Sequence, residues 1–258
     1  MSPESNEPPL FRVFRGVALV VSAALVAAGI RLALHEPFLV AVALALFFAT
    51  WVSRYLTRRR LRRVLRSGDV IAVLRNVTGA LHRVPYPATM APIMTATAFA
   101  ACGWIDRARA VLATAERGPA WEAAIEHRLF LDTLLLTFEG DPESAITQAG
   151  RLVRLPVPVS KGAMRERVLG LRFAAGAFAR AFAHKSEPGD AELLLRTSEQ
   201  SPLVFWAMRY AAAVVAIDRG ENDKAKGLVK DAPAWPEESI FRAFHVEIRE
   251  RAGLGSST

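Results

Sequence analysis

The sequence predicts an all-α protein in which a two-helix transmembrane hairpin precedes an α-solenoid of stacked helix pairs with a C-terminal capping helix. Two apolar runs near the N-terminus are separated only by His35-Glu36-Pro37. Beyond them, glycines recur at intervals near 35 residues, each between two helical patterns. No segment shows the sustained period-two alternation that is typical of a β-strand. These three observations predict a helical repeat domain behind a membrane anchor.

The two apolar runs predict the hairpin. The first extends from Gly16 to Ile30 and onward to Leu34, and the second extends from Pro37 to Val52. Both fall near the low end of the roughly 17–25 residues that span a bilayer. Pro37 suits the first turn of the second helix, since proline has no N–H to donate. Small residues every four positions favour close helix packing in lipid; they are Ala24, Ala28, Ala41, Ala45 and Ala49.

Arginine placement predicts the orientation. Arginines precede the first run and follow the second, whereas the turn carries only Arg31 and His35 against Glu36. By the positive-inside rule the chain is an integral membrane protein with two spans and both termini in the cytoplasm. Two other interpretations stay open. Gly16 to Ile30 suits the apolar region of a cleaved signal peptide, and the two runs suit a buried hairpin of a soluble bundle.

Nearly all of the net charge of +8 belongs to the N-terminal region, since residues 1–66 hold 10 arginines against three glutamates. Residues 67–258 hold 23 basic and 22 acidic residues, so the domain is nearly neutral and nucleic acid is not its expected partner. The cationic cluster after the second run predicts contact with anionic membrane lipid, although it also suits a flank that only stops transfer. Its members are Arg58, Arg59, Arg60, Arg62, Arg63 and Arg66.

The chain divides into five expected segments. They are a disordered tail (1–12), the hairpin (13–55), a juxtamembrane basic helix with the first helix pair (56–86), the repeat domain (87–252) and a second tail (253–258). The second membrane helix is expected to continue to Arg66, and a further helix is expected from Val70 to Val84. Gly68 suits a left-handed helix end between them. Cys102 is the only cysteine, so no intrachain disulfide can form.

The glycine turns carry a resemblance to a known family. Gly103, Gly140 and Gly220 each follow one helical pattern, and an alanine stands five positions later. In the first unit the order of small, aromatic and large residues is Ala96, Phe99, Gly103, Ala108, Leu112 and Ala115. Over about residues 88–235 this pattern resembles the tetratricopeptide repeat, and the resemblance implies antiparallel helix pairs that stack into a solenoid. An unrelated helical bundle is the alternative.

The last segment, Pro236 to Ala252, is expected to be one helix that caps the repeat stack. Its apolar residues form a single stripe, and the remaining positions are polar. The stripe consists of Ile240, Phe241, Phe244 and Ile248.

No catalytic constellation is visible in the sequence. The five histidines lack metal-ligand spacing, there is no cysteine pair, and neither a phosphate-binding glycine loop nor a nucleophile elbow is present. We therefore expect no enzyme activity, no cofactor and no metal site.

The concave face of the predicted solenoid is the expected site for a protein partner. Its residues are largely apolar, so the face is either filled by the protein itself or open to an apolar helix of a partner. They are Ile93, Thr97, Phe130, Leu134, Phe138, Phe173, Tyr210 and Val214. The resulting hypothesis is a membrane-anchored adaptor. The alternative is an oligomerising membrane protein, or pore-like effector, whose hairpin assembles under control of the repeat domain.

Overall fold

The computed structural model describes residues 37–81, 84–157 and 161–254, so the first apolar run and the turn at His35 lie outside the described residues. Within these ranges every regular element is a helix, which confirms the all-α prediction. The chain divides into two compact units at Arg60.

Twelve α-helices are described: α1 (Pro37–Arg66), α2 (Val70–Leu81), α3 (Pro87–Ala101), α4 (Ile105–Ala113), α5 (Pro119–Ala123), α6 (Ile125–Phe138), α7 (Pro142–Arg154), α8 (Ala163–Phe182), α9 (Asp190–Gln200), α10 (Phe205–Asp218), α11 (Asn222–Val229) and α12 (Ile240–Arg249).

The described part of helix α1 extends from Pro37 to Arg66, and its C-terminal end lies where the sequence predicts it. Its first turns carry large apolar side chains that are exposed, for example Phe38 at 75% and Phe48 at 57%. Gly68 follows the helix with φ +72, in the left-handed region that glycine adopts without strain. Among residues 37–81, 84–157 and 161–254, no helix is long and apolar enough to cross a membrane.

The second unit is built from helix pairs. Helix α3 packs on α4, α6 on α7, α8 on α9, and α10 on α11. Neighbouring pairs also pack on each other, since α7 contacts α8 and α9 contacts α10. This arrangement of packed pairs is compatible with a helical repeat.

Three of the turns inside these pairs share one hydrogen-bond pattern. At the first, Gly103 N–H donates to the carbonyl of Ala100 (2.9 Å), and Trp104 N–H donates to the carbonyl of Phe99 (2.9 Å). In the other two turns, the N–H groups of Gly140 and Gly220 and of the residue after each glycine donate in the same way. Both glycines have positive φ. This is the Schellman motif, which satisfies the last carbonyls of a helix and favours glycine. The regular glycines therefore mark equivalent turns.

The turn between α8 and α9 has the same pattern with histidine in place of glycine. His184 has φ +53, and its N–H donates to the carbonyl of Ala181 (3.1 Å). Lys185 N–H completes the motif at the carbonyl of Arg180 (2.9 Å). The residues with positive φ at these turns are thus 68, 103, 140, 184 and 220. The long interval after Gly140 therefore contains one further helix pair.

Two elements differ from the sequence predictions. The short helix α5 lies between two pairs and was not expected. Helix α12 begins at Ile240 rather than Pro236, because the Ser239 hydroxyl accepts a hydrogen bond from the Phe241 N–H (3.3 Å) and forms the N-cap.

Candidate functional site

The residues of the predicted concave face occupy three environments. Ile93, Phe130, Leu134, Phe138 and Tyr210 are buried. Thr97 and Val214 are half-buried, and the Thr97 hydroxyl donates to the carbonyl of Ile93 (2.8 Å). Phe173 stands apart from both groups at 48% exposed.

The C-terminal helix α12 covers the middle of this face. The fully buried Phe241 ring stacks on Tyr210, with ring centroids 4.9 Å apart, and contacts Phe138 edge-on at 5.5 Å. One turn later Phe244 lies 5.9 Å from Phe138 and 5.1 Å from Phe182. The predicted stripe of α12 is therefore buried against the helix pairs. In this conformation Phe138 and Tyr210 have the protein's own helix as their partner.

Polar contacts hold the start of α12 on the turn after α3. The Ser239 hydroxyl donates to the Cys102 carbonyl (2.7 Å), and the Ile240 N–H donates to the Gly103 carbonyl (3.0 Å). A Cβ added at Gly103 would lie 2.7 Å from the Ser239 Oγ and 3.2 Å from the Phe241 ring. Gly103 thus serves two purposes, since it allows the left-handed turn and also admits α12.

A series of hydrogen-bonded side chains crosses the same region. The Trp235 indole N–H donates to the Tyr210 hydroxyl (2.7 Å), whose oxygen lies 3.2 Å from the His245 Nδ1. Burial raises the pKa of Tyr210 well above its usual range, against the opposing effect of the Trp235 hydrogen bond. Burial, with the nearby Arg249 guanidinium, lowers the pKa of His245. These groups fix the segment before α12 and α12 itself to α10.

A buried arginine that sequence reasoning missed fixes the loop after α7. Arg172, on α8, is 2% exposed. Its Nε donates to a Glu126 carboxylate oxygen (3.0 Å), and its two terminal nitrogens donate to the carbonyls of Leu155 (2.6 Å) and Pro156 (3.2 Å). An arginine on a mixed helix such as α8 gives no sequence signal for this, because burial depends on where the next loop passes.

The arginines expected at lipid differ among themselves. Arg59, Arg60, Arg62 and Arg63 are exposed, and the side chain of Arg58 lies outside the described residues. Arg66 is engaged within the second unit. Its terminal nitrogen donates to a Glu199 carboxylate oxygen (2.6 Å), and its guanidinium lies 4.4 Å from the centroid of the Phe205 ring.

A groove of about 950 Å³ lies beside α12, and we call it the acidic groove. It runs between the turn after α3, the end of α6, and the segment from Glu237 to Glu250. Its lining comprises Gly103, Ile105, Asp106, Phe138, Glu139, Glu237, Glu238, Ser239, Ile240, Arg242, Ala243, Val246, Glu247 and Glu250. It was not predicted, because its lining comes from segments about 100 residues or more apart in the chain.

The described residues contain no group of three or more histidine, cysteine, aspartate or glutamate side chains that could hold a metal ion. Cys102 is buried beside the Ser239 contact, and burial raises the pKa of its thiol to about 12. Since the thiolate is the reactive form of cysteine, this side chain acts as a small apolar residue of the core.

Comparison with known proteins found no family model, no curated protein and no solved structure that matches this chain.

Proposed function

We propose that the chain is a membrane-anchored adaptor, in which the apolar N-terminal region holds a tetratricopeptide-repeat-like unit at the cytoplasmic face of a membrane. There the unit binds a protein partner. The observation that carries this proposal is the exposure of the apolar side chains on α1. They are Phe38, Val42, Leu44, Leu46, Phe47, Phe48, Trp51 and Val52.

These side chains surround the helix instead of forming one stripe. Successive residues are about 100° apart on a helix, so Phe38, Phe47 and Phe48 project in different directions. A helix that is apolar all round requires an apolar environment on every side. The exposed arginines from Arg59 to Arg63 follow at its C-terminal end, where the positive-inside rule expects a cytoplasmic flank.

The helix pairs support the adaptor part of the proposal. Each pair turns at an equivalent Schellman motif, so the unit presents successive helices in similar positions, as repeat domains that bind proteins do. The acidic groove, of about 950 Å³, lies on this unit.

The second candidate is a membrane protein that oligomerises through its hairpin. Ala41, Ala45 and Ala49 are exposed on one face of α1, which favours close helix contact in lipid. Sedimentation of the full chain in detergent decides this candidate, since a monomer over a wide concentration range contradicts it.

Topology can be tested by cysteine labelling of the full chain in cells. The native Cys102 gives little background, because it is buried and its pKa is raised. We expect His35→Cys to react with a membrane-impermeant maleimide in intact cells, and Ser256→Cys to react only after permeabilisation. Equal labelling of both variants in intact cells, or release of the chain from membranes by an alkaline wash, would contradict the proposed anchor.

A further inference from the structure

The acidic groove combines an apolar floor with a carboxylate rim. Ile105 and Ile240 are half-buried in the floor, and Ala243 and Val246 are exposed there, with Val246 at 50%. Since α12 buries Phe241 and Ile248 on its other side, Val246 is not part of the stripe that attaches this helix to the unit. It is apolar surface that the fold itself does not cover.

The rim is strongly negative on a unit that is nearly neutral. Six carboxylates and one guanidinium, that of Arg242, line the groove. Three of the carboxylates have arginine partners, namely Glu139 with Arg109, Glu237 with Arg242, and Glu247 with Arg251. The hydrogen bond from Arg109 to Glu139 raises the pKa of that arginine.

The other three carboxylates are exposed and have no ion pair among the described residues; they are Asp106, Glu238 and Glu250. Glu238 precedes α12 and Glu250 follows it, while Asp106 belongs to α4. The unpaired negative charges therefore come from both ends of α12 and from a second helix. A ligand that covers the floor must bring positive charge along its edges.

We propose that the acidic groove binds a cationic amphipathic helix of a protein partner. The apolar stripe of that helix covers Ile105 and Val246, and its lysines or arginines pair with Asp106, Glu238 and Glu250. This recognition uses the helix-in-groove mode, in which apolar anchors give affinity and flanking charges give orientation. The inference rests on the proposed adaptor function and specifies the partner class of that function.

Charge decides between this occupant and the alternatives. A polyanion such as nucleic acid, or the headgroups of an anionic bilayer, would place negative charge against the three carboxylates of the groove that have no arginine partner. A purely apolar helix would cover the floor but leave the rim carboxylates without partners and partly dehydrated. A cationic amphipathic helix satisfies both the floor and the rim.

The test uses the full chain in neutral detergent micelles and a labelled synthetic peptide of leucine and lysine. Leucines every three or four residues make this probe a cationic amphipathic helix. We expect saturable binding when the peptide is titrated and its fluorescence anisotropy is measured. This binding should weaken as the salt concentration is raised. A peptide of the same composition with leucine at every second position should bind about tenfold more weakly, since it cannot form one apolar helix face.

Two double variants localise the binding. Glu238→Lys with Glu250→Lys should raise the Kd of the probe by about tenfold or more, since both charges border the groove. Glu116→Lys with Glu166→Lys makes the same charge change at exposed residues that do not line the groove, and its Kd should stay within about twofold. Equal weakening in both double variants, or no saturable binding to the wild-type chain, would overturn the proposal.

A second copy of this chain is the competing occupant, since residues 54–66 are rich in arginine. Sedimentation of the full chain without peptide distinguishes the two occupants. Self-association that Glu238→Lys with Glu250→Lys abolishes would overturn the proposal in favour of a second copy, whereas a monomer supports a separate partner. Because binding is measured in detergent, its failure leaves the topology test untouched, and a failed topology test leaves the groove measurement valid.

Discussion

Helices α1 and α12 are both rich in large apolar residues, but they bury them differently. In α12 the phenylalanine and isoleucine side chains fall on one stripe, and Phe241 and Ile248 are buried against the helix pairs. In α1 they surround the helix, and Phe38, Phe47 and Phe48 are exposed. The spacing of apolar residues, rather than their number, therefore separates a helix that completes its own unit from one that requires another environment.

The largest expected effect comes from removing one aromatic ring from each of these two helices. Phe241→Ala should lower the free energy of unfolding of the second unit by about 3–5 kcal/mol, since it leaves a cavity between Phe138, Tyr210 and Trp235. Phe48→Ala removes an equally large ring that is 57% exposed and belongs to the first unit, so unfolding of the second unit should be unchanged. Chemical denaturation of the full chain in detergent, followed by circular dichroism, measures both. A loss of similar size in the two variants would break the comparison.

A smaller effect tests whether α12 rests on the turn at Gly103. Gly103 and Gly140 have nearly the same φ, +79 and +84, but only at Gly103 would an added Cβ meet the segment that starts α12. Gly140→Ala should cost about 1–2 kcal/mol for the left-handed conformation alone. Gly103→Ala should cost about 1–3 kcal/mol more, because Ser239 and Phe241 must move. The same denaturation measurement gives both values, and equal losses would mean that α12 does not rest on this turn.

Local signals in the sequence predicted most of the helices. Gly68, Gly103, Gly140 and Gly220 all have positive φ at helix ends, as their spacing suggested. The turn at His184 escaped notice because the motif requires a backbone conformation, and glycine is only its commonest residue. There the His184 Nδ1 lies 2.9 Å from an Asp218 carboxylate oxygen, a contact between neighbouring pairs that no local pattern contains.

The candidate site was less predictable, since it depends on contacts between distant segments. The stripe of α12 indicated that one face would be buried, but not that Phe138 and Tyr210 would cover it. Likewise, the concave face could be described as apolar without knowing whether it was filled. Charge totals concealed the acidic groove as well, because its carboxylates are balanced by basic residues elsewhere on the unit.

We infer that α12 is part of the core of the second unit, so that partners bind beside it and not in its place. Hydrogen exchange of the full chain, resolved by mass spectrometry, tests this most directly. Amides of α12 from Phe244 to Ile248 should exchange as slowly as those in the middle of α10, through unfolding of the whole unit. Fast exchange of α12 while α10 stays protected would show that the helix leaves Phe138 and Tyr210 readily. That result would contradict a core position for α12.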